Sequence, residues 1–172
     1  LSIYLLQEKG VSVSLTQLTE QLRRTPVTEG LGTSLASVAG MIRRMSREGL
    51  LRTGVNKDII LTPIGQDLAE NVVRRHRLAE VMVTSLLGME LHKSHIEAHR
   101  LEHAISSELA EKISERLGNP SRCPFGHPIP GNGYITDNER CITLDKAEPG
   151  KTLLVDRIPE EDSQLLEYLV NA

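Results

Sequence analysis

The sequence predicts a mainly α-helical fold with one small β-hairpin near its amino-terminal end. Apolar residues recur three and four positions apart through most of residues 1–117, as they do on one face of a helix. Residues 50–65 instead hold two short apolar runs around a Gly/Asn turn, the pattern of a hairpin. Aromatic residues make up only 2% of the chain, so the core must be aliphatic.

The amino-terminal elements follow the order helix, helix, hairpin. The chain begins inside an apolar pattern, so a first helix looks cut, and Ser14 is a candidate N-cap for the helix over "SLTQLTEQLRR". Residues 25–33 form a loop by their Pro and Gly content. A further helix begins at about Ser34 and stops at Gly49. Followed by the hairpin, these helices predict a winged helix-turn-helix over residues 1–65.

The remainder is predicted as two long helices and a mixed tail. One helix runs from Gln66 to about Leu87, and the next from about Leu91 to Leu117. A Pro/Gly loop, "CPFGHPIPGNGY", follows. The tail from residue 142 alternates apolar and polar residues, as in a β-strand, and then reads as a short helix. It predicts the beginning of a small β domain.

Charge and composition narrow the classes of protein. Residues 1–75 carry ten basic and seven acidic side chains, whereas the rest carries ten and sixteen. This asymmetry fits a nucleic-acid-binding module on an acidic body, although ordinary fluctuation remains an alternative. No apolar run approaches a membrane span, and no signal peptide precedes the first helix. With two cysteines, a disulfide framework is not indicated, so we expect a cytoplasmic protein without a membrane partner.

Four of the six histidines lie within "HKSHIEAHRLEH", residues 92–103. His95, His99 and His103 are four apart, so they share a helix face, and Glu102 flanks two of them. The upstream helix supplies a second i, i+4 pair, His76 and Glu80 in "HRLAE". Nitrogen and oxygen donors of this kind bind divalent first-row metals. The alternative is an exposed helix face with salt bridges; the number of histidines favours metal.

The segments "VVRRHRLAEVMV", "EAHRLEHAIS" and "PFGHPIPG" resemble the diphtheria-toxin-repressor family of iron- and manganese-dependent transcriptional repressors. The resemblance covers nearly the whole chain. It implies a DNA-binding winged helix over residues 1–65 and a helical metal-binding and dimerisation domain over residues 66–130. Over residues 131–172 it implies a linker and a truncated SH3-like domain.

The resemblance implies two metal sites. The ligands of the first, ancillary site are His76, Glu80, His95 and, from the tail, Glu160. The ligands of the second, activating site are His99, Glu102 and His103, with one more implied upstream of Leu1. His99 stands where iron-type members have Cys and manganese-type members have Glu. An imidazole there suits Fe(II), our first expectation, and also Zn(II), Co(II) and Ni(II), better than Mn(II), which stays an alternative.

The resemblance also implies that the helix beginning near Ser34 enters the major groove of DNA. Hydroxyl side chains cluster at its start, where backbone N–H groups attract phosphate, and basic side chains follow. The predicted DNA contacts are Thr33, Ser34, Ser37, Arg43, Arg44, Arg47 and, on the wing, Lys57. A solvated basic face is the alternative for the arginines.

Together these features predict a dimeric repressor that binds operator DNA when loaded with Fe(II) or a similar ion and controls metal-uptake genes. A dimer is expected because two DNA half-sites need two recognition helices. No catalytic residue is predicted. A helical metalloenzyme remains an alternative, because paired Glu/His helices also hold catalytic metals. A winged-helix regulator without a metal switch is the other alternative.

Overall fold

The computed structural model describes residues 1–24, 32–134 and 141–171. Within them, seven α-helices accompany a single two-stranded sheet, which confirms the predicted mainly α-helical fold. The predicted loop over residues 25–33 lies for the most part outside the described residues. The chain divides into two compact units, Leu1–Val73 and Arg74–Ala172.

The first unit has the predicted order of helices followed by a hairpin. Its elements are α1 Ser2–Glu8, α2 Leu15–Arg24, α3 Leu35–Arg47, β1 Leu51–Thr53 and β2 Ile59–Leu61. They enclose an aliphatic core of Ile3, Leu6, Val13, Leu18, Leu22, Val38, Leu51 and Ile59. This core contains no aromatic side chain, as the composition predicts, but the prediction of an aliphatic core is wrong for the second unit, whose core includes Phe125.

Serine caps fix the starts of α2 and α3. Ser14 Oγ accepts a hydrogen bond from the backbone N–H of Gln17 at 3.2 Å, and Gln17 Oε1 accepts one from the backbone N–H of Ser14 at 2.9 Å. This reciprocal pair is a capping box, so the predicted N-cap is confirmed. Ser34 Oγ accepts from the backbone N–H of Ser37 at 3.1 Å, which confirms the helix start near Ser34.

The hairpin forms the wing of this unit. β1 and β2 pair antiparallel, with Leu51 opposite Leu61 and Thr53 opposite Ile59. In the turn between them Lys57 has a φ of 61°, in the left-handed region, and its side chain is exposed.

The helix α4, Pro63–Ser85, contains the division between the two units. Proline suits its first position, where the missing N–H has no helical partner. At Gly65 a Cβ atom would lie 2.1 Å from the carbonyl oxygen of Leu50, so only glycine permits this close approach. The predicted helix from Gln66 to about Leu87 is confirmed to within a few residues.

The predicted helix from Leu91 to Leu117 is wrong in its continuity. The structure has two helices, α5 Leu91–Leu101 and α6 Ser107–Arg116. Ser106 caps α6 by accepting a hydrogen bond from the backbone N–H of Leu109 at 3.2 Å, and Ile105 beside it is buried. Glu102 and His103 therefore lie just beyond α5 rather than within a long helix.

The tail contains one helix, α7 Ser163–Asn171, which packs against α5 and buries Leu166 in the core of the second unit. The predicted short helix is confirmed. Residues 144–146 form a single 3-10 turn, and no strand is present among the described residues from 141 to 171. The assignment of this tail to a truncated SH3-like domain stays a prediction.

A close backbone contact holds the tail against the loop after α6. Ile158 donates its backbone N–H to the carbonyl oxygen of Phe125 at 3.1 Å. A Cβ atom at Gly126 would lie 2.0 Å from the carbonyl oxygen of Asp156, so this crossing requires glycine. The contact brings Glu160 into the interior of the second unit, where its side chain is buried.

Candidate metal centre

The helices α4 and α5 each place two potential metal ligands one turn apart. His76 and Glu80 lie on α4, and His95 and His99 lie on α5. At a spacing of four residues, both members of a pair face the same direction. His76, Glu80 and His95 are buried, and only 9% of the His99 side chain is exposed. The polar faces of the two helices are thus directed inward.

Three of these side chains converge on one point. His76 Nε2 lies 3.0 Å from Glu80 Oε1 and 3.1 Å from His95 Nδ1, and His95 Nδ1 lies 3.0 Å from Glu80 Oε1. Donors bound to one ion at about 2.0–2.2 Å are themselves only roughly 3 Å apart. The structure therefore brings together the three residues expected to form the core of the first site, and their spacing fits a metal ion.

Glu102 connects this group with the second predicted set. Its Oε2 lies 2.7 Å from His76 Nδ1. Its Oε1 is buried, forms no hydrogen bond with the described residues, and lies 3.2 Å from His103 Nε2 and 3.6 Å from His99 Nδ1. The structure thus places His99 and His103 around one oxygen of Glu102, with the His103 side chain 63% exposed.

The pKa shifts of His76 and Glu102 are those expected when a positive charge lies buried between carboxylates. Burial alone lowers the pKa of His76, but the charge of Glu80 and hydrogen bonds to Glu102 and Glu80 raise it to about 10. Burial favours a neutral Glu102, yet its hydrogen bond with His76 and the nearby His99 lower the pKa of this carboxyl to about 2. Without metal, a proton on His76 supplies the positive charge that a divalent ion would provide.

Glu160 lies near Glu80, and Cys123 is the third potential ligand in this group. Donor atoms of Glu80, Cys123 and Glu160 lie within 4.8 Å of one another, and all three residues are buried. The free oxygens Glu80 Oε2 and Glu160 Oε2 form no hydrogen bond with the described residues. Burial and the charge of Glu80 raise the pKa of both the Cys123 thiol and the Glu160 carboxyl. A cation bound among these three side chains would reduce the repulsion between their negative charges. A thiolate is a ligand that suits zinc-like ions.

Sequence reasoning missed Cys123. The residue stands in a Pro/Gly loop, and its position there does not reveal that the loop folds onto Glu80, more than forty residues earlier. A lone cysteine directly before "PFGH" was the one signal available.

The predicted DNA contacts all lie on the surface of the first unit. Every one of the seven is exposed, three at the start of α3, three along α3 and one on the wing: Thr33, Ser34, Ser37, Arg43, Arg44, Arg47 and Lys57. Between α3 and the wing runs an open groove with Arg43, Arg47 and Thr53 in its lining. Ser34 Oγ caps α3 by accepting a hydrogen bond from the backbone N–H of Ser37, so only part of its hydrogen-bonding capacity is left for DNA.

Comparison with known proteins agrees with this arrangement. A family model described as the metal-binding and dimerisation domain of iron-dependent repressors matches residues 62–131. The diphtheria toxin repressor of Corynebacterium glutamicum is 37% identical over 134 residues, which cover 78% of this chain and 55% of that protein. The iron-dependent repressor IdeR of Mycobacterium leprae is 36% identical over 130 residues, 76% of this chain and 53% of that protein.

Solved structures show the same similarity. A manganese-dependent transcriptional repressor in complex with manganese is 34% identical, with a TM-score of 0.77 over 93% of this chain and 69% of that one. The repressor ScaR with bound Zn²⁺ is 26% identical, also with a TM-score of 0.77, over 99% and 76% of the two chains.

The matched proteins include repressors named as iron- or manganese-dependent. The chain belongs to the diphtheria-toxin-repressor family, so the resemblance seen in its sequence is confirmed. It spans about half the length of the two relatives named above. Among the described residues, none of the helices combines the length and apolarity needed to cross a bilayer.

Proposed function

We propose that this chain is a metal-dependent transcriptional repressor that binds operator DNA as a dimer when loaded with Fe(II) or a similar divalent ion, and controls metal-uptake genes. The observation that carries the proposal is the buried convergence of His76, Glu80 and His95 in a chain that also has a winged helix. Two histidines and a carboxylate that meet at one buried point are costly to keep away from water. A bound cation offsets that cost, because buried charged groups are stable when they are paired or coordinate a metal.

Two ligand sets support the proposal. The first contains His76, Glu80 and His95, with Cys123 and Glu160 beside Glu80. The second contains Glu102 and His103, with His99 between the two sets. When bound, the ion supplies positive charge and fixes the side chains that surround it. Fe(II) is the first candidate, and Zn(II), Co(II), Ni(II) and Mn(II) are the others.

His76 is oriented for this role by Glu102. With Nε2 directed at Glu80 and His95, its Nδ1–H donates to Glu102 Oε2 at 2.7 Å. A carboxylate behind a histidine in this way fixes its tautomer and its ring orientation and raises its basicity as a ligand. Glu102 therefore contributes to both sets, one oxygen to each.

DNA contact is assigned to the exposed start of α3, its arginines and Lys57 on the wing. Metal and DNA are linked if the metal-loaded chain favours the arrangement that fits DNA, and each then raises the affinity for the other. Exposed apolar side chains of the second unit, Leu86, Leu87 and Leu109, are candidates for the dimer interface. A cytoplasmic location follows from a DNA-binding role. No observation favours the alternative of a helical metalloenzyme.

The test is DNA binding by the purified full-length protein with and without metal. Duplexes are first selected from a random-sequence pool in the presence of Fe(II), and the affinity for one selected duplex is then measured with Fe(II), Mn(II), Zn(II) or a chelator. We expect metal to strengthen binding by about 5- to 150-fold. Glu102→Gln should abolish the gain, whereas His92→Ala, outside both sets, should preserve it. Equal affinity with metal and with chelator would support a winged-helix regulator without a metal switch.

A further inference from the structure

His99 lies against the other two buried histidines. Its ring centroid is 4.6 Å from that of His76 and 4.6 Å from that of His95, and those two rings are 4.9 Å apart. One nitrogen of each ring lies within 4.8 Å of one nitrogen of each of the others. Three imidazoles from two helices thus surround a single point, although the sequence resemblance assigns His99 to the other ligand set.

His99 also faces Glu102, the glutamate of the other ligand set. His99 Nδ1 is 3.6 Å from Glu102 Oε1, beyond hydrogen-bond distance. The other oxygen of Glu102 is already occupied by His76 at 2.7 Å. The His103 side chain, the remaining member of that set, is 63% exposed, whereas that of His99 is only 9% exposed.

We propose that His76, His95 and His99 form one site of three nitrogen donors that selects Zn(II) or Co(II) over Mn(II). The proposal rests on the metal-binding role proposed above and names the ion class that this site takes. Glu80 Oε1 is the neighbouring oxygen donor, since it lies 3.0 Å from both His76 Nε2 and His95 Nδ1. A histidine in place of cysteine or glutamate thus enlarges the first site instead of completing the second.

The ion class follows from the donor set. Imidazole nitrogen is a borderline ligand that suits zinc, cobalt and nickel, whereas manganese prefers oxygen ligands. Three imidazoles and one further donor also match the four-coordinate arrangement common for zinc. Replacing one imidazole by a carboxylate should therefore reduce the preference for zinc over manganese.

The first test uses the unmutated chain and Zn(II) alone. Long-range ¹H–¹⁵N spectra report the ring nitrogens of each histidine separately. On addition of Zn(II), we expect His99 to shift together with His76 and His95, at the same equivalent and before His103. A first equivalent that shifts His99 together with His103, and leaves His95 unchanged, would overturn the proposal.

The second test compares variants by Co(II) absorption and by Zn(II) affinity. Four-coordinate Co(II) absorbs visible light more strongly than six-coordinate Co(II), so the band reports this site. His99→Ala should weaken the band and lower Zn(II) affinity about tenfold or more, and by more than His103→Ala does, while His92→Ala, outside both ligand sets, should leave both unchanged. His99→Glu should narrow the ratio of Zn(II) to Mn(II) affinity. Equal losses in His99→Ala and His103→Ala would place His99 with Glu102 and contradict the proposal.

These readouts are independent of DNA. If His99→Ala removes the Co(II) band but no metal strengthens DNA binding by the unmutated chain, the three-histidine site stands and the repressor function fails. If metal strengthens DNA binding but His99→Ala keeps the band and the Zn(II) affinity, the repressor function stands and the three-histidine site fails.

Discussion

The His76 side chain lies between the two predicted ligand sets. Its Nε2 faces Glu80 and His95, and its Nδ1 faces Glu102. The i, i+4 pairing of His76 with Glu80 could be predicted from the sequence, because helical spacing alone places both on one face. The contact with Glu102 could not, since the two residues are 26 positions apart and meet only through the packing of the helices.

At the surface, single basic residues are expected to act through DNA phosphates. Arg47→Ala should weaken binding to every duplex alike and reduce the slope of log affinity against log salt concentration by about one, since each lost phosphate contact releases one fewer counterion. Arg100→Ala, an exposed arginine of the second unit paired with Glu97, is the matched control. A slope for Arg47→Ala equal to that of the control would show that Arg47 is only solvated.

The helical residues predicted as ligands lie close together in the structure, whereas a neighbouring loop residue was not predicted. The set His76, Glu80 and His95 is brought together as expected. Cys123 was missed because its loop reaches Glu80 through the fold of the second unit. No local sequence pattern encodes that approach.

At the scale of elements, the break between α5 and α6 was the main error. The residues on both sides are good helix formers, so the periodicity continues through the break. The break depends on burial of Ile105 and on the Ser106 cap, of which the first is a tertiary effect. It turns Glu102 inward, where the carboxylate reaches His76.

The contact of α7 with α5 is expected to stabilise the metal centre as well as the fold. Leu166 on α7 is completely buried, so Leu166→Ala should lower the free energy of unfolding by about 2–5 kcal/mol. Because α5 carries His95 and His99, Zn(II) affinity should also fall. Urea unfolding and zinc titration measure the two effects.

Leu169→Ala is the control for this change. Leu169 lies on the same helix but is 44% exposed, so its truncation should change stability by no more than about 0.5 kcal/mol. Similar unfolding midpoints for the two variants would mean that α7 contributes little to the second unit.

At the scale of the whole molecule, the chain divides into a winged-helix unit and a unit that contains the proposed metal ligands. The two compact units divide between Val73 and Arg74, inside the helix α4. The predicted boundary between residues 65 and 66 was drawn where the hairpin ends, and it stays a prediction. A sequence pattern marks where an element starts but does not show which unit the first turns of a long helix join.

If metal binding and DNA binding are linked in this chain, each must change the affinity for the other by the same factor. Metal affinity is measured by titration of the purified chain with Zn(II) or Fe(II), once alone and once with a saturating concentration of a selected duplex. Thermodynamic linkage requires DNA to raise metal affinity by the same factor by which metal raises DNA affinity, about 5- to 150-fold. We expect the two factors to agree within experimental error and to be lost together in Glu102→Gln. A metal affinity that is the same with and without DNA would show that the two binding events are independent.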